Sequence, residues 1–246
     1  MQVNPKLLKQ KFEKSMPKYN ENALVQREMA ECLVELLVKS CGADFARVLE
    51  LGSGTGLLTE IIANRLKFEH LTCNDIVEKS KFYLDKILKN YSFIAGNSTK
   101  IKPAGYFNLI ISNAMFQWFS SLPAALETYS RYLEKDGILA FSTFSTENFK
   151  EIRSVLGLSL KYLSVEEIKS ALEEKFEVLE IYEYEKVLEF TTPLELLAHL
   201  KNTGVNSLSA KKMTFAEVKS FCESIQTQDG KARLTYAPFI VIARRK

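Results

Sequence analysis

A glycine-rich loop between a predicted strand and a predicted helix limits what this chain can fold into. The apolar run 48–51 leads into the loop, and an amphipathic helix is predicted over 57–66 directly after it. Glycines at such a junction let the backbone turn sharply and approach a ligand closely. The loop reads Glu50-Leu51-Gly52-Ser53-Gly54-Thr55-Gly56.

The glycine spacing separates this loop from two common phosphate-binding loops. It reads G-x-G-x-G, whereas the dinucleotide fingerprint is G-x-G-x-x-G and a P-loop ends in G-K-[ST]. Neither lysine nor arginine follows directly to neutralise a phosphate. The loop therefore predicts a ligand without a pyrophosphate, or a glycine-rich turn that binds nothing.

Apolar runs and helical stretches alternate on both sides of the loop. Further strands are predicted at 71–75, 93–95, 107–112 and 138–144, with helices at 78–90 and 123–133. The run 107–112 (FNLIIS) is typical of a strand buried on both faces of a parallel sheet. Asp136-Gly137 is predicted as the turn that ends the last helix. The alternation predicts an α/β fold with a doubly wound, mostly parallel sheet.

The alternation gives way to other patterns at both ends. The first 42 residues predict a short basic helix, broken at Pro17 and Asn20, and a longer amphipathic helix. After residue 144 we expect helices at 149–156 and 165–172, a β-rich stretch at 176–190, helices opened by capping boxes at Thr192 (closed by Gly204) and Thr214, and a final strand at 234–243. No repeat or flexible linker interrupts the chain, so we expect a single domain over 1–246.

Composition argues against several classes of protein. The chain has 246 residues, 46% hydrophobic and 26% charged, as in ordinary globular domains. A net charge of +3 does not indicate a nucleic-acid partner. Four scattered cysteines and two histidines, without a C-x-x-C pair, predict no metal site. No apolar stretch is long enough for a membrane span and the N-terminus lacks a signal-peptide core, so we expect a cytoplasmic protein.

Two acidic residues indicate the chemistry of the ligand. Glu50 opens the loop and suits a cofactor with an ammonium group. Asp75 ends the second strand, roughly 20 residues further on, and a carboxylate there can accept both hydroxyls of a ribose. S-adenosylmethionine (SAM) combines these groups, with an amino acid at one end, a ribose in the middle and no pyrophosphate. We therefore expect SAM as the cofactor.

With this loop and Asp75, the chain resembles the class I SAM-dependent methyltransferases. The resemblance implies a Rossmann-like fold of seven strands with an antiparallel last strand, and adenine contacts from the segment 96–98, where Asn97 stands in place of the commoner Asp. The segment 112–115 (SNAM) is not the Asn/Asp-Pro-Pro-aromatic motif of nucleic-acid amino-methyltransferases. The cofactor contacts that the resemblance implies are Gln26, Glu50, Gly52, Ser53, Gly54, Thr55, Gly56, Asp75, Ile76, Asn97, Ser98 and Asn113.

Four further segments resemble the malonyl-acyl carrier protein O-methyltransferases of biotin synthesis. They are Phe12…Tyr19…Ala23-Leu24-Val25-Gln26, 111–118 (ISNAMFQW), 141–144 (FSTF) and 199–206 (HLKNTGVN). The last segment is the most specific, because generic methyltransferases lack it. The resemblance implies methylation of the free carboxylate of a malonyl thioester held by acyl carrier protein, a small acidic protein with a phosphopantetheine arm.

The same resemblance implies substrate-side residues and a division of the chain. Tyr19, His199, Lys201 and Asn206 are the catalytic candidates, as positioning donors or positive charges for the malonyl carboxylate. That carboxylate, with a pKa of about 3–4, is ionised at neutral pH and needs no general base. The expected division is a helical cap at 1–42, a SAM-binding core at 45–144, substrate-side helices and strand with a lid insertion at 145–232, and a C-terminal strand at 233–246.

Other interpretations of these residues stay open. Tyr19 also fits a packed aromatic residue, His199 a structural histidine and Lys201 a solvated lysine, while Trp118 and Phe116 fit either the cleft or the core. The chain alternatively fits a free small-acid carboxyl methyltransferase of the trans-aconitate type, which has a similar Ser-Asn-Ala…Gln-Trp region. A third interpretation is a SAM-binding partner of acyl carrier protein without catalytic activity.

Overall fold

The computed structural model describes residues 5–156, 162–203, 214–225 and 229–246. The β-strands in these ranges are β1 (Asp44–Leu51), β2 (Lys67–Asp75), β3 (Ser92–Ala95), β4 (Phe107–Ser112), β5 (Leu133–Phe144), β6 (Phe176–Glu183), β7 (Lys186–Phe190), β8 (Ala232–Tyr236) and β9 (Pro238–Arg245). The α-helices are α1 (Pro5–Asn22), α2 (Leu24–Cys41), α3 (Leu57–Arg65), α4 (Ser80–Leu84), α5 (Leu122–Tyr132), α6 (Lys150–Leu156), α7 (Val165–Leu172), α8 (Pro193–Asn202) and α9 (Phe215–Ile225). A short 3-10 helix covers Phe116–Trp118.

Seven of these strands form one sheet in the order β3-β2-β1-β4-β5-β9-β6. Strands β1 to β5 run parallel, and β9 runs antiparallel to both β5 and β6. The predicted doubly wound, mostly parallel sheet with an antiparallel last strand is confirmed. The order reverses between β1 and β4, and in open α/β sheets such a reversal leaves a crevice at the carboxyl ends of the two strands.

The central strands are buried on both faces because their successive residues are apolar. Val48 on β1 packs in one cluster with Leu33 of α2, on one side of the sheet. Leu49 packs in a second cluster with Leu126 of α5, on the other side. Each such side chain contributes about 1.5–3 kcal/mol on burial. These two layers hold the carboxyl ends of the strands in place.

Helix α1 continues through Pro17, so the predicted break at Pro17 and Asn20 is wrong. Proline has no N–H to donate to the carbonyl four residues before it, which is that of Glu13. Both positions are exposed, so water can solvate that carbonyl. The helix ends at Asn22, whose side-chain amide donates to the Lys18 carbonyl at 2.7 Å.

The predicted helix over 78–90 is shorter in the structure. Helix α4 ends at Leu84, whose carbonyl accepts from the N–H groups of both Ile87 and Leu88. The mixed bonding ends the regular helical pattern and turns the chain. The predicted Asp136-Gly137 turn is also wrong, because both residues lie inside β5, where Asp136 has a φ of 62°.

The predicted C-terminal strand over 234–243 is two strands in two sheets. Strand β8 pairs with β7 in a separate two-stranded sheet, and β9 returns to the main sheet. Between them, Ala237 donates its N–H to the side-chain oxygen of Asn148 at 3.1 Å, and Pro238 has no N–H to donate. This break places Tyr236, the last residue of β8, beside the end of β5 rather than within the main sheet.

The predicted capping box is complete at α9, where the Thr214 hydroxyl accepts from the Glu217 N–H and Glu217 accepts from the Thr214 N–H. At α8 the Thr192 hydroxyl accepts from the Glu195 N–H, but Glu195 accepts from the Thr191 N–H instead, so the box predicted there is incomplete. Helix α8 ends at Asn202, while its predicted terminator Gly204 lies outside the described residues. Within the described parts of the chain, no helix combines the length and the apolar character needed to cross a membrane.

Two glycines with positive φ allow the cost of strain to be separated from the cost of a collision. Gly42 has a φ of 82° and open space where a Cβ would lie, whereas a Cβ on Gly56, with a φ of 84°, would overlap Ile87 Cδ1. The two backbones differ, because ψ is −175° at Gly42 and 17° at Gly56. Gly42→Ala should lower the free energy of unfolding by about 1–3 kcal/mol through strain alone. Gly56→Ala should cost about 1–2 kcal/mol through strain and about 1–3 kcal/mol more because Ile87 must move. Urea unfolding of Gly56→Ala in the wild-type and Ile87→Ala backgrounds separates the two costs; equal losses in both backgrounds would contradict the collision at Gly56.

Candidate active site

A cavity lies at the carboxyl ends of β1, β2 and β4, under helix α1. Its volume is ≈ 180 Å³, and we call it the large cavity to distinguish it from a smaller one described below. A neighbouring groove beside Phe119 and Ser121 has a larger volume, ≈ 620 Å³. The wall of the large cavity consists of Leu8, Phe12, Ser15, Met16, Tyr19, Gly52, Ser53, Gly54, Thr55, Leu57, Leu58, Asn74, Asp75, Ile76, Val77, Gly96, Asn97, Ser98, Asn113, Ala114, Met115, Trp118 and Phe119. The structure thus brings most of the predicted cofactor contacts into one wall.

The glycine loop is fixed to the end of β2 by hydrogen bonds. Gly52 and Ser53 both donate their N–H groups to the Asn74 carbonyl, at 2.8 and 3.0 Å. The Gly54 N–H donates to Asp75 Oδ2 at 2.8 Å, and the Val77 N–H donates to Asp75 Oδ1 at 2.7 Å. Both carboxylate oxygens are therefore oriented by backbone groups and keep further lone pairs for a ligand.

Opposing effects act on the Asp75 carboxyl. Burial raises its pKa above the ordinary value, while the N–H groups of Val77 and Gly54, Ser80 and the charge of Lys9 act to lower it. Hydrogen-bond donors stabilise the ionised form of a buried carboxyl. The side chain is 7% exposed, so it is available to a ligand in the cavity rather than to bulk water.

Glu50 lies beneath the loop and not in the cavity wall. Its Oε2 accepts from Thr59 Oγ1 of α3 at 2.7 Å and from the Cys73 thiol at 3.6 Å, while its Oε1 is buried without a partner in the described residues. Burial raises its pKa to about 7. A direct contact with a ligand ammonium group is contradicted by this placement, because its strand position directs the side chain towards α3.

Asn97 and Ser98 line the cavity on the β3 side. Asn97 Oδ1 accepts from the Thr99 N–H at 3.0 Å, and since a backbone N–H only donates, this contact fixes the orientation of the amide. The amide nitrogen of Asn97 is then the group left for a ligand. The Ser98 hydroxyl lies 2.8 Å from the Tyr129 hydroxyl of α5, which anchors this segment.

Asn113 lines the large cavity, and Gln26 lies behind it. Asn113 donates to the Gln26 backbone carbonyl at 2.9 Å and accepts from the Ser142 hydroxyl at 2.6 Å, so both ends of its amide are held by protein. The Gln26 side chain does not line the large cavity. The side chain lines the small cavity described below instead, so its predicted contact with the cofactor stays a prediction without support from the wall of the large cavity.

Helix α1 covers the large cavity. Thr55 Oγ1 donates to Asn20 Oδ1 at 2.5 Å, which ties the helix to the loop. Tyr19 lies in the wall, and burial together with the charge of Asp75 raises its pKa to about 12. The side chain is therefore a neutral hydroxyl at neutral pH, and this hydroxyl has no hydrogen-bond partner among the described residues.

A second, smaller cavity of ≈ 20 Å³ lies behind Tyr19, and we call it the small cavity. Phe12, Tyr19, Ala114 and Trp118 belong to both walls. The other residues of the small wall are Gln26, Gln117, Phe144, Asn148, Phe149, Tyr162, Thr203 and Tyr236. The small cavity therefore adjoins the large one along these four shared side chains.

The other catalytic candidates have different positions. His199 is buried on α8, its Nε2 lies 2.7 Å from the Tyr236 hydroxyl, and burial lowers its pKa to about 4. It is neutral at pH 7, so the predicted positive charge is wrong. Lys201 is exposed and lines neither cavity, and Asn206 lies outside the described residues.

Of the two aromatic residues that fitted either the cleft or the core, Trp118 lines both cavities and meets Phe12 edge to face at 5.5 Å, whereas Phe116 stacks on Phe141 at 4.0 Å in the core. Other wall residues were not predicted as part of the site. The polar residues Asn148, Tyr162 and Tyr236 come from segments with no motif. Their only sequence signal is polar groups beside apolar runs, which does not identify a site.

Comparisons with known proteins identify the family of this chain. The family described as "Methyltransferase domain" matches residues 20–206. A malonyl-[acyl-carrier protein] O-methyltransferase of Calditerrivibrio nitroreducens is 35% identical over 96% of this chain and 96% of its own. The chain belongs to the malonyl-[acyl-carrier protein] O-methyltransferase family. A second member, of Chlorobium luteolum, is 35% identical over 98% of this chain and 95% of its own.

Solved structures agree on the fold. The N-methyltransferase NodS of Bradyrhizobium japonicum, solved in complex with S-adenosyl-L-homocysteine, matches with a TM-score of 0.56 at 16% identity. The match covers 89% of this chain and 86% of NodS. The relatives in sequence match nearly the whole chain. The structural match shows the class I methyltransferase fold without relying on those relatives.

Replacing His199 with glutamine should reduce the fall in the free energy of unfolding that occurs as the pH is lowered from 6.5 towards 4. The pKa of His199 is lowered to about 4 from 6.5, so between these pH values the unfolded chain binds more protons than the folded chain. This stabilisation is complete above pH 6.5 and is lost as the pH falls towards 4, by at most about 3 kcal/mol. Urea unfolding of wild type and His199→Gln across this range measures the loss.

Glu50→Gln is the control of opposite sign. The pKa of Glu50 is raised from 4.5 to about 7, so this contribution is complete below pH 4.5 and is lost as the pH rises through 7. Glu50→Gln should therefore gain stability relative to wild type between about pH 5 and about pH 8. If both variants changed the pH dependence of the free energy of unfolding in the same direction, the burial of these two groups would be refuted.

Proposed function

We propose that this chain transfers a methyl group from SAM to the free carboxylate of a malonyl thioester on acyl carrier protein. The observation that carries the proposal is the glycine loop and Asp75 forming one wall of a cavity, in a chain that is 35% identical over nearly its full length to proteins named for this reaction. The product, a malonyl methyl ester, has lost the charge of the free acid. The resemblance to the enzymes of biotin synthesis places the ester in that pathway.

The residues of the large cavity fit SAM from one end to the other. The amino-acid end would lie along Gly52, Ser53 and the N-terminus of α3, and the ribose hydroxyls would donate to Asp75. Ile76 would pack on the adenine, and the Asn97 amide nitrogen would donate to a ring nitrogen. When bound, SAM supplies an activated methyl group on a positively charged sulfur.

The walls of both cavities suit an acceptor that is already ionised. Among the described residues, neither wall contains a lysine, an arginine or a histidine. A carboxylate has a pKa of about 3–4 and needs no general base at neutral pH. The task of this chain is then to hold the acceptor oxygen at about 3–3.5 Å from the methyl group and to exclude water.

The division of the chain follows from this assignment. We infer one domain in which the core at 45–144 binds the cofactor, while the cap at 1–42 and the segment 145–232 cover the acceptor side. Helix α1 lies in the large cavity's wall, and Tyr162 and Thr203 lie in the small one's. The C-terminal strand was expected to begin at residue 233. In the structure, β8 ends at Tyr236 and the last strand of the main sheet begins at Pro238.

Location and partners belong to the same proposal. We infer a cytoplasmic enzyme with acyl carrier protein as its partner and without a nucleic-acid partner. All four cysteines are free thiols, which suits a reducing compartment. A net charge of +3 offers no general attraction for nucleic acid.

Asp75→Asn should weaken the binding of SAM by about ten-fold or more. The amide loses the charge that ribose hydroxyls would donate to, and it presents an NH₂ group to one of the backbone N–H groups that Asp75 accepts now. Isothermal calorimetry measures the affinity. Asp85→Asn is the matched control, an exposed carboxylate paired with Lys81, and should bind SAM as wild type does. Unchanged affinity in Asp75→Asn would remove Asp75 from the ribose.

Intact-protein mass spectrometry tests the whole reaction. Malonyl-acyl carrier protein incubated with SAM and the enzyme should gain one methyl group, which mild ester hydrolysis removes. Free trans-aconitate and malonyl-CoA run in parallel. Methylation of the free acid alone would instead assign a small-acid carboxyl methyltransferase, and cofactor binding without any methylated product would assign a binding protein.

A further inference from the structure

The small cavity is separated from the cofactor residues and has a polar lining of its own. Only Phe12, Tyr19, Ala114 and Trp118 are shared with the large cavity, and none of the glycine-loop residues reaches it. Its volume is ≈ 20 Å³, on a measure by which one water needs roughly 10–15 Å³. It therefore accommodates one small polar group at the end of a longer molecule.

Three tyrosines line this cavity. Tyr162 accepts a hydrogen bond from the Asn148 amide at 2.7 Å, so its own O–H remains to be donated. The Tyr236 hydroxyl lies 2.7 Å from His199 Nε2, and the Tyr19 hydroxyl has no partner in the described residues. Burial raises the pKa of each phenol, so all three are neutral hydroxyls at physiological pH.

Gln26 contributes an unsatisfied amide to the same wall. Its side chain is 3% exposed, and its Oε1 is buried without a hydrogen-bond partner in the described residues. A buried polar atom of this kind costs about 1–3 kcal/mol unless an occupant of the cavity pairs with the side chain. A half-turn about the last torsion exchanges Oε1 and Nε2, so the amide can present a donor to that occupant.

We propose that the small cavity holds one oxygen of the acceptor carboxylate, with Gln26 and Tyr162 as donors. The inference rests on the proposed function and deepens it. The second oxygen of the same carboxylate would face the large cavity, at the boundary that the two walls share beside Ala114 and Trp118, where it can accept the methyl group. The size of the small cavity supports this division, because it has room for one oxygen and not for the whole acid.

Neutral donors suit both the substrate and the product of this reaction. An arginine would hold a carboxylate more tightly and reduce its nucleophilicity, and the small wall has no arginine among the described residues. Hydrogen bonds to an ionised group are roughly twice as strong as those to a neutral one. Methylation removes the charge, so the same donors hold the ester less tightly, and release is favoured.

Gln26→Met tests the proposal, because methionine keeps the length of the side chain and removes its amide. In the presence of S-adenosylhomocysteine, wild type should bind malonyl-acyl carrier protein more tightly than butyryl-acyl carrier protein, which has no carboxylate. The variant should lose about 10- to 100-fold of that preference and of kcat/KM for malonyl-acyl carrier protein. Its unfolding temperature should stay the same or rise, since an unpaired buried amide is removed.

Tyr162→Phe is a second variant of the same wall, and Tyr132→Phe is the matched control. Tyr162→Phe should reduce the malonyl preference in the same way. Tyr132 on α5 donates its hydroxyl to the Ile101 carbonyl and lines neither of the two cavities, so Tyr132→Phe should keep the wild-type preference. All three variants should bind S-adenosylhomocysteine with wild-type affinity by calorimetry.

The outcomes separate this inference from the proposed function. A wild-type preference and kcat/KM in Gln26→Met would overturn the inference, and so would a selective loss of S-adenosylhomocysteine affinity, which would return Gln26 to the cofactor site. A wild-type enzyme that binds malonyl- and butyryl-acyl carrier protein equally and methylates neither would instead overturn the proposed function.

Discussion

The site depends on the two backbone hydrogen bonds that Asp75 accepts. The N–H groups of Gly54 and Val77 bind its two carboxylate oxygens, and Asn74 receives the two preceding N–H groups of the loop. The loop after β1 is therefore fixed to the end of β2, and the crevice beside the β1–β4 reversal keeps its shape. Hydrogen bonds to a charged group are the strong ones, so a single side chain both shapes the crevice and presents acceptors to a ligand within it.

Among the described residues of the two cavity walls, Asp75 is the only carboxyl group, and there is no lysine, arginine or histidine. Burial leaves His199 uncharged and holds Tyr19 in its hydroxyl form. Glu50, the acidic residue that looked suited to a ligand, is instead used to join β1 to α3 through Thr59. An anionic acceptor therefore meets dipoles rather than fixed cations, which fits a reaction whose acceptor loses its charge.

The sequence predicts the parts of this protein whose signal is local. The both-face apolar strand Phe107–Ser112 and the glycine loop with Asp75 depend on nearby residues, and the structure places them as expected. The break between β8 and β9 depends on Asn148, 89 residues away in the chain, and no local pattern reveals it. The direction of the Gln26 side chain is likewise set by how α2 packs on the sheet, so its neighbours could not be read from the helix alone.

The boundary between the two cavities contains a strained backbone conformation at Ala114, which is stabilised by neighbouring hydrogen bonds. Ala114, common to both walls, has a φ of 50°, a left-handed conformation that costs about 1–3 kcal/mol for a residue other than glycine. Its N–H donates to the Ser142 hydroxyl and its carbonyl accepts from Gln117. Since Ser142 also donates to Asn113, one hydroxyl on β5 stabilises the strained turn and the amide beside it. The strained Ala114 and the unpaired amide oxygen of Gln26 both lie where the acceptor carboxylate would sit between the two cavities. Binding of the acceptor there can therefore offset the free energy that these two features cost.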